Sequence, residues 1–301
     1  MHPGEAAGAP TPPTILVFDS GLGGLTVLRA IQDRLPAACC RYALDDAAFP
    51  YGDWPREALV ERVVGVLCRL LDERQPDACV IACNTASTLV LPHLRARYDL
   101  PFVGTVPAIK PAAERSTSGQ ISVLATPGTV QRDYTSALIR DFAAHCRVTL
   151  VGSAHLAPIA EAKLAGRPVD LDAIRHEIAP AFVDQDGVRT DTVVLACTHY
   201  PWLLDEMRAA APWEVEWIDP APAIARRVVQ VLPREITAAP TDCGIVVTTT
   251  PQTARAVPAD SSRPASTSET AGSNPPRVPW TILSRFGLTE RRTLNLPVEI
   301  P

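Results

Sequence analysis

Short runs of apolar, β-branched residues alternate along the chain with longer stretches of helical period. The runs are TILVF at 14–18, DACVIA at 77–82, PFVGTV at 101–106, ISVLA at 121–125, RVTLVG at 147–152 and DTVVLA at 191–196. Runs of this length without polar alternation fit strands buried on both faces, and helices between them predict a parallel α/β architecture. The helical period predicts helices over 26–35, 55–74, 85–98, 108–115, 130–143, 156–165, 171–184, 201–210 and 221–232. In the second of these, Leu59, Val63, Val66, Leu67, Leu70 and Leu71 share one face. A crossing between domains is expected at VPAIKPA, 106–112. In open α/β sheets ligands lie beyond the carboxyl ends of the strands, so the residues that follow each run carry the chemistry.

Two of those strand ends repeat. DACVIACNTAS at 77–87 and DTVVLACTHYP at 191–201 each place an Asp six residues before a cysteine, Ala directly before it and polar residues directly after. A fainter echo pairs VFDSGLGG, 17–24, with VLATPGTV, 123–130, each a strand running into a Gly-containing polar turn. From turn to cysteine the spacing is 64 residues in one half, Asp19 to Cys83, and 72 in the other, Ala125 to Cys197. Matched order and spacing point to two related α/β units facing each other across a cleft, with Cys83 and Cys197 at equivalent strand ends.

A length of 301 residues agrees with two domains. With 47% apolar residues and a net charge of −5, the chain offers no positive field for nucleic acid, which is excluded as a primary partner. No run approaches the ~20 apolar residues that cross a membrane. The opening MHPGEAAGAPTPP lacks a basic segment followed by an apolar one, so residues 1–13 are expected to be a disordered extension and the protein cytoplasmic. Residues 259–279, ADSSRPASTSETAGSNPPRVP, are too polar and Pro-rich to bury themselves and are expected to form a flexible insertion, with WTILSRFGL after it as a last docking helix.

Eight cysteines without dense short-loop spacing are expected to be mostly reduced thiols. Cys39, Cys40, Cys68, Cys79 and Cys146 read as small buried hydrophobes. Cys79 and Cys83 lack the second Cys/His pair that a zinc finger needs, so no metal is expected.

Cys83 and Cys197 differ from the rest because each closes one copy of the repeated strand motif, before Asn84-Thr85 and Thr198-His199. A thiol helped by hydrogen-bond donors or a helix N-terminus can serve as a base near neutral pH, while a second, protonated thiol serves as the acid. One removes a proton from a carbon and the other delivers a proton to the opposite face, which inverts the stereocentre without a cofactor. Asn84, Thr85 and Thr198, with the backbone N–H groups at the strand-to-helix turns, are candidate neutral donors to carboxylates. His199 is placed to exchange a proton with Cys197, and Asp19 to orient or poise the Cys83 proton, with helix capping as its alternative role.

The motifs FDSGLGGLTVL, FPYGDWP, IACNTAS, VGTVPA, ATPGTV, AEAKLAG and LACTHYPWL, in this order, resemble the glutamate racemases of the cofactor-independent aspartate/glutamate racemase superfamily, from about residue 14 to about 232. The resemblance implies that Cys83 works on D-glutamate and Cys197 on the L-enantiomer, assisted by Asp19, His199 and Glu161. It implies substrate contacts at Asp19, Ser20, Tyr51, Gly52, Asn84, Thr85, Thr126, Thr129, Thr198 and His199. It implies two similar parallel-sheet domains related by a pseudo-twofold axis, 14–106 with 218–301 and an inserted 107–217, with the site between them. D-Glutamate for peptidoglycan would be the product. The N-terminal extension is similar to that of members activated by UDP-N-acetylmuramoyl-L-alanine, and a homodimer stays open because the sequence does not reveal the oligomeric state. ALDDAAFPYG departs from the family in lacking a Gly-Asp-Thr. Two alternatives stay open: a sister racemase acting on aspartate or another small acid, and a non-catalytic regulator, since some members inhibit DNA gyrase.

Overall fold

The computed structural model describes residues 11–131, 133–233, 243–249 and 279–294. The expected N-terminal extension lies outside the described residues apart from 11–13, and the expected insertion lies outside them apart from Pro279. The strands are β1 (Thr14–Asp19), β2 (Cys39–Leu44), β3 (Ala78–Ile81), β4 (Phe102–Gly104), β5 (Gln120–Ala125), β6 (Arg147–Gly152), β7 (Asp184–Gln185), β8 (Val188–Arg189), β9 (Thr192–Ala196), β10 (Glu216–Ile218), β11 (Ile245–Thr248) and β12 (Glu290–Thr293).

Two parallel sheets result, a six-stranded one in the order β12-β11-β2-β1-β3-β4 and a four-stranded one in the order β10-β9-β5-β6, besides the antiparallel hairpin β7-β8. The order β2-β1-β3-β4 in the first sheet matches β6-β5-β9-β10 in the second, so the sequence repeat is also a repeat of topology. β3 and β9 hold the same place in the two units, and Cys83 and Cys197 follow them. Alternate residues of each strand enter opposite cores, as the pleat requires. Ile15 and Val17 pack with Leu25, Leu28 and Ile224 on one face of the large sheet, and Leu16 and Phe18 pack with Leu59, Leu67 and Val90 on the other. Leu124, Val193 and Leu195 face Ile174, Leu203 and Met207, whereas Ile121, Val123 and Val194 face Ile109 and Ala112.

The Asp of each repeat ties down a neighbouring segment. Asp77 Oδ2 accepts the N–H of Thr14 at 2.7 Å, at the start of β1. Asp191 accepts the N–H groups of Thr117 and Ser118, both at 2.7 Å, and the hydroxyls of Ser116 and Thr192. Burial works to raise the Asp191 carboxyl, but these donors overcome it and hold it below the usual range. Asp191→Ala is expected to lower the unfolding free energy by about 2 kcal/mol in urea denaturation at neutral pH. Because the folded carboxyl titrates below the unfolded one, this contribution is present above the unfolded pKa of about 3.9 and fades as pH falls toward the folded value, where the mutant and native stabilities converge.

Several expectations need correction. Cys39 is not a free thiol: it is bonded to Cys243, with Cα atoms 4.8 Å apart. Cys39 opens β2 and Cys243 stands just before β11, its neighbour in the sheet. A partner 204 residues away is invisible without that strand pairing. RVTLVG is an edge strand rather than one buried on both faces, and of its six residues only Val151 is buried. The helix expected over 171–184 stops at Ile178, gives way to a 3-10 turn at Ala179–Ala181 containing Pro180, and leads into the β7-β8 hairpin. The segments 130–143 and 201–210 are each divided, the first into helices Pro127–Val130 and Asp133–Phe142, the second into a 3-10 turn Tyr200–Leu203 and a helix Leu204–Ala210. The last helix, Trp280–Ser284, does dock, sending Ile282, Leu283 and Phe286 into the first core.

Candidate active site

The carboxyl ends of β1 and β3 meet those of β5 and β9. Around the meeting point Ser20, Phe49, Pro50, Tyr51, Gly52, Cys83, Asn84, Thr85, Thr126, Ala157, Cys197, Thr198 and His199 enclose a pocket of about 320 Å³ counting its mouth. Cys83 and Cys197 both line it.

Cys83 is the N-cap of the helix Asn84–Arg97, where backbone N–H groups point back at the thiol. Its Sγ lies 3.9 Å from Ser20 Oγ, which in turn lies 3.4 Å from Asp19 Oδ1. Burial pushes the Cys83 thiol well above the ordinary range and the Asp19 carboxylate adds to this, while the Ala86 N–H and the Ser20 hydroxyl pull the other way. Asp19 is fully buried, and burial raises its carboxyl against His199, the N–H groups of Ser20 and Gly24, and the Thr198 hydroxyl. Those bonds measure 2.7 Å to Ser20 N, 2.5 Å to Gly24 N and 3.1 Å to Thr198 Oγ1.

Cys197 has a different neighbour. Its Sγ is 3.9 Å from Nδ1 of His199, whose Nε2 is 2.8 Å from Glu161 Oε1. Burial opposes the charge on His199, but Cys197 and Glu161 outweigh it and its pKa ends well above the ordinary value. The N–H of Gly23 also lies 3.2 Å from Nε2. One nitrogen cannot donate and accept at once. Nε2 therefore donates to Glu161 when protonated and accepts from Gly23 when not.

The donors expected for carboxylates stand ready. Asn84 is buried, and neither its Oδ1 nor its Nδ2 has a hydrogen-bond partner among the described residues. A buried amide of this kind in a pocket wall marks a place where a polar ligand group binds. Thr85 Oγ1 bonds Thr126 Oγ1 at 3.0 Å across the two units, and Thr126 bonds Thr129 at 3.0 Å.

Ten expected site residues thus line the pocket, whereas Asp19, Glu161 and Thr129 stand one hydrogen bond behind its wall. Tyr51 presents its ring but turns its hydroxyl to Asp45 at 2.8 Å, and Asp45 is also held by Arg62 at 2.6 Å and Thr249 at 2.6 Å. Sequence reasoning missed Phe49, Pro50 and Ala157. Phe49 stands 5.3 Å from the His199 ring and opens the FPYGDWP motif, but nothing in that motif singled it out as a site residue. Among the described residues no group of three or more His, Cys, Asp or Glu side chains is placed to hold a metal ion.

The glycines of DSGLGG permit the close approach of the second unit. A methyl at Gly23 would lie 2.5 Å from His199 Nδ1 and 2.7 Å from Thr198 Oγ1, and one at Gly21 would collide with Glu161 Oε1. Neither imidazole nor carboxylate can retreat without breaking its own bonds. Gly23→Ala is expected to lower kcat roughly tenfold in a steady-state assay by displacing His199, with the fold retained.

The family model described as Asp/Glu/Hydantoin racemase matches residues 25–228. Glutamate racemase of Sinorhizobium medicae is 59% identical over 220 residues, 73% of this chain and 81% of that protein. That of Brucella anthropi is 58% identical over 219 residues, 72% of this chain and 79% of that protein. The crystal structure of Escherichia coli glutamate racemase in complex with L-glutamate and the activator UDP-MurNAc-Ala superposes with a TM-score of 0.81 at 38% identity, covering 94% of this chain and 98% of that one.

Proposed function

Because the chain belongs to the Asp/Glu/Hydantoin racemase family, we propose that it interconverts L- and D-glutamate by proton transfer between two thiols. The observation that carries this reading is the pair Cys83 and Cys197, at equivalent strand ends of a repeated topology and on one pocket.

With L-glutamate bound, Cys197 passes its proton to His199, which Glu161 holds ready to be charged, and the thiolate takes the proton from Cα. Cys83, kept protonated by burial, delivers its proton to the opposite face. With D-glutamate the roles exchange: Cys83 becomes the base, with Ser20 and Asp19 as the route for its proton. The negative charge that develops next to the α-carboxylate is met by Asn84, Thr85 and helix N–H groups, with Thr198 beside them and its hydroxyl donated to Asp19, so no cationic side chain is needed in contact with it. Ser20, Tyr51, Gly52, Thr126 and His199 complete the substrate's surroundings. Thr129 supports Thr126 from behind.

The domain division that goes with this reading is 14–106 with 218–301 against 107–217. D-Glutamate made in the cytoplasm would supply peptidoglycan synthesis. UDP-MurNAc-Ala, the activator of the E. coli relative, is the proposed activator here too. A racemisation assay with and without it checks this, and an unchanged rate removes the idea. Polarimetry on the enantiomers of glutamate and aspartate tests the substrate: rotation is expected to decay to zero with glutamate and to persist with aspartate. The reverse pattern would make the protein an aspartate racemase.

A further inference from the structure

The contact between Glu161 and His199 joins two elements of the second unit, the helix Leu156–Leu164 and the turn Tyr200–Leu203. Their spacing is set at both ends of the helix, outside the pocket. At the N-terminal end the buried Tyr200 hydroxyl donates to the carbonyl of Ser153 at 3.2 Å, and the Ser153 hydroxyl accepts the N–H of Leu156 at 3.1 Å. At the C-terminal end Lys163 Nζ donates to the carbonyl of Trp202 at 2.8 Å and lies 2.7 and 2.8 Å from the two carboxylate oxygens of Glu206. The backbone N–H of Trp202 in turn donates to the carbonyl of His199 at 3.1 Å.

We propose that Lys163 and Glu206 are positioning residues for racemisation, a clasp that keeps Glu161 at hydrogen-bond distance from His199 and so sets the imidazole against Cys197. The proposal rests on the reading of Glu161 and His199 as assistants of Cys197. Lys163 stands two residues beyond Glu161, about 200° round the helix, so it touches neither Glu161 nor the pocket and acts through the helix as a rigid body. Its charge also suits the helix C-terminus. Side-chain exposures of 32% for Lys163 and 19% for Glu206 leave the pair partly shielded from solvent, where it holds its geometry better than a surface pair. The same exposures let water replace a deleted charge, so neutral variants fold.

The test is steady-state kinetics on Lys163→Gln and Glu206→Gln, with thermal melts to verify folding, each alone and combined with Glu161→Gln. Each clasp variant alone is expected to lower kcat about tenfold with KM within about twofold, and to add nothing in the Glu161→Gln background, because the clasp works through that carboxylate. Lys163→Arg, which keeps the charge and the reach, is expected to recover most of the loss. Equal losses in both backgrounds, or native kcat in the clasp variants while Glu161→Gln is slow, would overturn the clasp alone. Native kcat in Glu161→Gln would overturn the assigned role of Glu161, and the clasp with it.

Discussion

Cys83→Ser and Cys197→Ser are each expected to lower kcat/KM for racemisation by about 10³- to 10⁴-fold, and by the same factor for L- and D-glutamate. The size follows from chemistry. A serine hydroxyl fits either position but is far too weak an acid to be deprotonated by His199 or by the Ser20–Asp19 route. The equality follows from thermodynamics. The two enantiomers have the same free energy, so their interconversion has an equilibrium constant of one, and the two kcat/KM values must stay equal whatever is mutated. The unequal surroundings of the thiols, a carboxylate and hydroxyl beside Cys83 and an imidazole beside Cys197, can therefore divide kcat from KM in each direction but cannot favour one enantiomer overall. Either serine variant with native turnover would contradict the two-thiol scheme.

Asp19→Asn is expected to lower kcat roughly 10²-fold and to move the acid limb of the kcat/KM profile to lower pH. Each oxygen of Asp19 accepts a backbone N–H, Oδ1 from Ser20 and Oδ2 from Gly24. An amide has only one acceptor atom, so its NH₂ confronts a donor in either orientation and the loop that carries Ser20 shifts. The sign of the pH effect comes from Cys83. Burial is the main reason its thiol titrates high, and the Asp19 charge adds to it. Removing that charge lowers the thiol pKa, so the thiolate form appears at lower pH than in the native enzyme, although burial still holds it above an ordinary thiol. A pH–rate profile of the variant checks this, and an unmoved acid limb would remove Asp19 as the charge that poises Cys83.

Legibility in the sequence followed the physics of burial. The central strands β1, β3 and β9 are nearly unbroken apolar runs and β5 is broken inside only by Ser122, and the repeat of Asp and Cys about β3 and β9 exposed both the pseudo-symmetry and the pair of thiols. β2 escaped because Arg41 interrupts CCRYAL, although Arg41 is itself only 3% exposed between β1 and β11. β11 and β12 escaped because they return to the first sheet from the far end of the chain, and with them the Cys39–Cys243 bond. In the site, residues next to the motifs could be named, but their rank could not. That Asn84 carries an unpartnered amide into the pocket, while Asp19 and Glu161 stand behind its wall, depends on packing between the two units. Phe49 and Ala157 are apolar residues without chemistry of their own, and composition alone gives no reason to select them.

The central claim is that one thiol takes the α-proton while the other delivers a different proton to the opposite face. It is tested most directly by converting L-glutamate in deuterium oxide and examining both enantiomers early in the reaction. The account predicts one deuterium at Cα in the D-glutamate formed and protium in the remaining L-glutamate, with the mirror result from D-glutamate. Deuterium in the remaining substrate at the same rate as in the product, or product that keeps its original proton, would mean a single base and would contradict it.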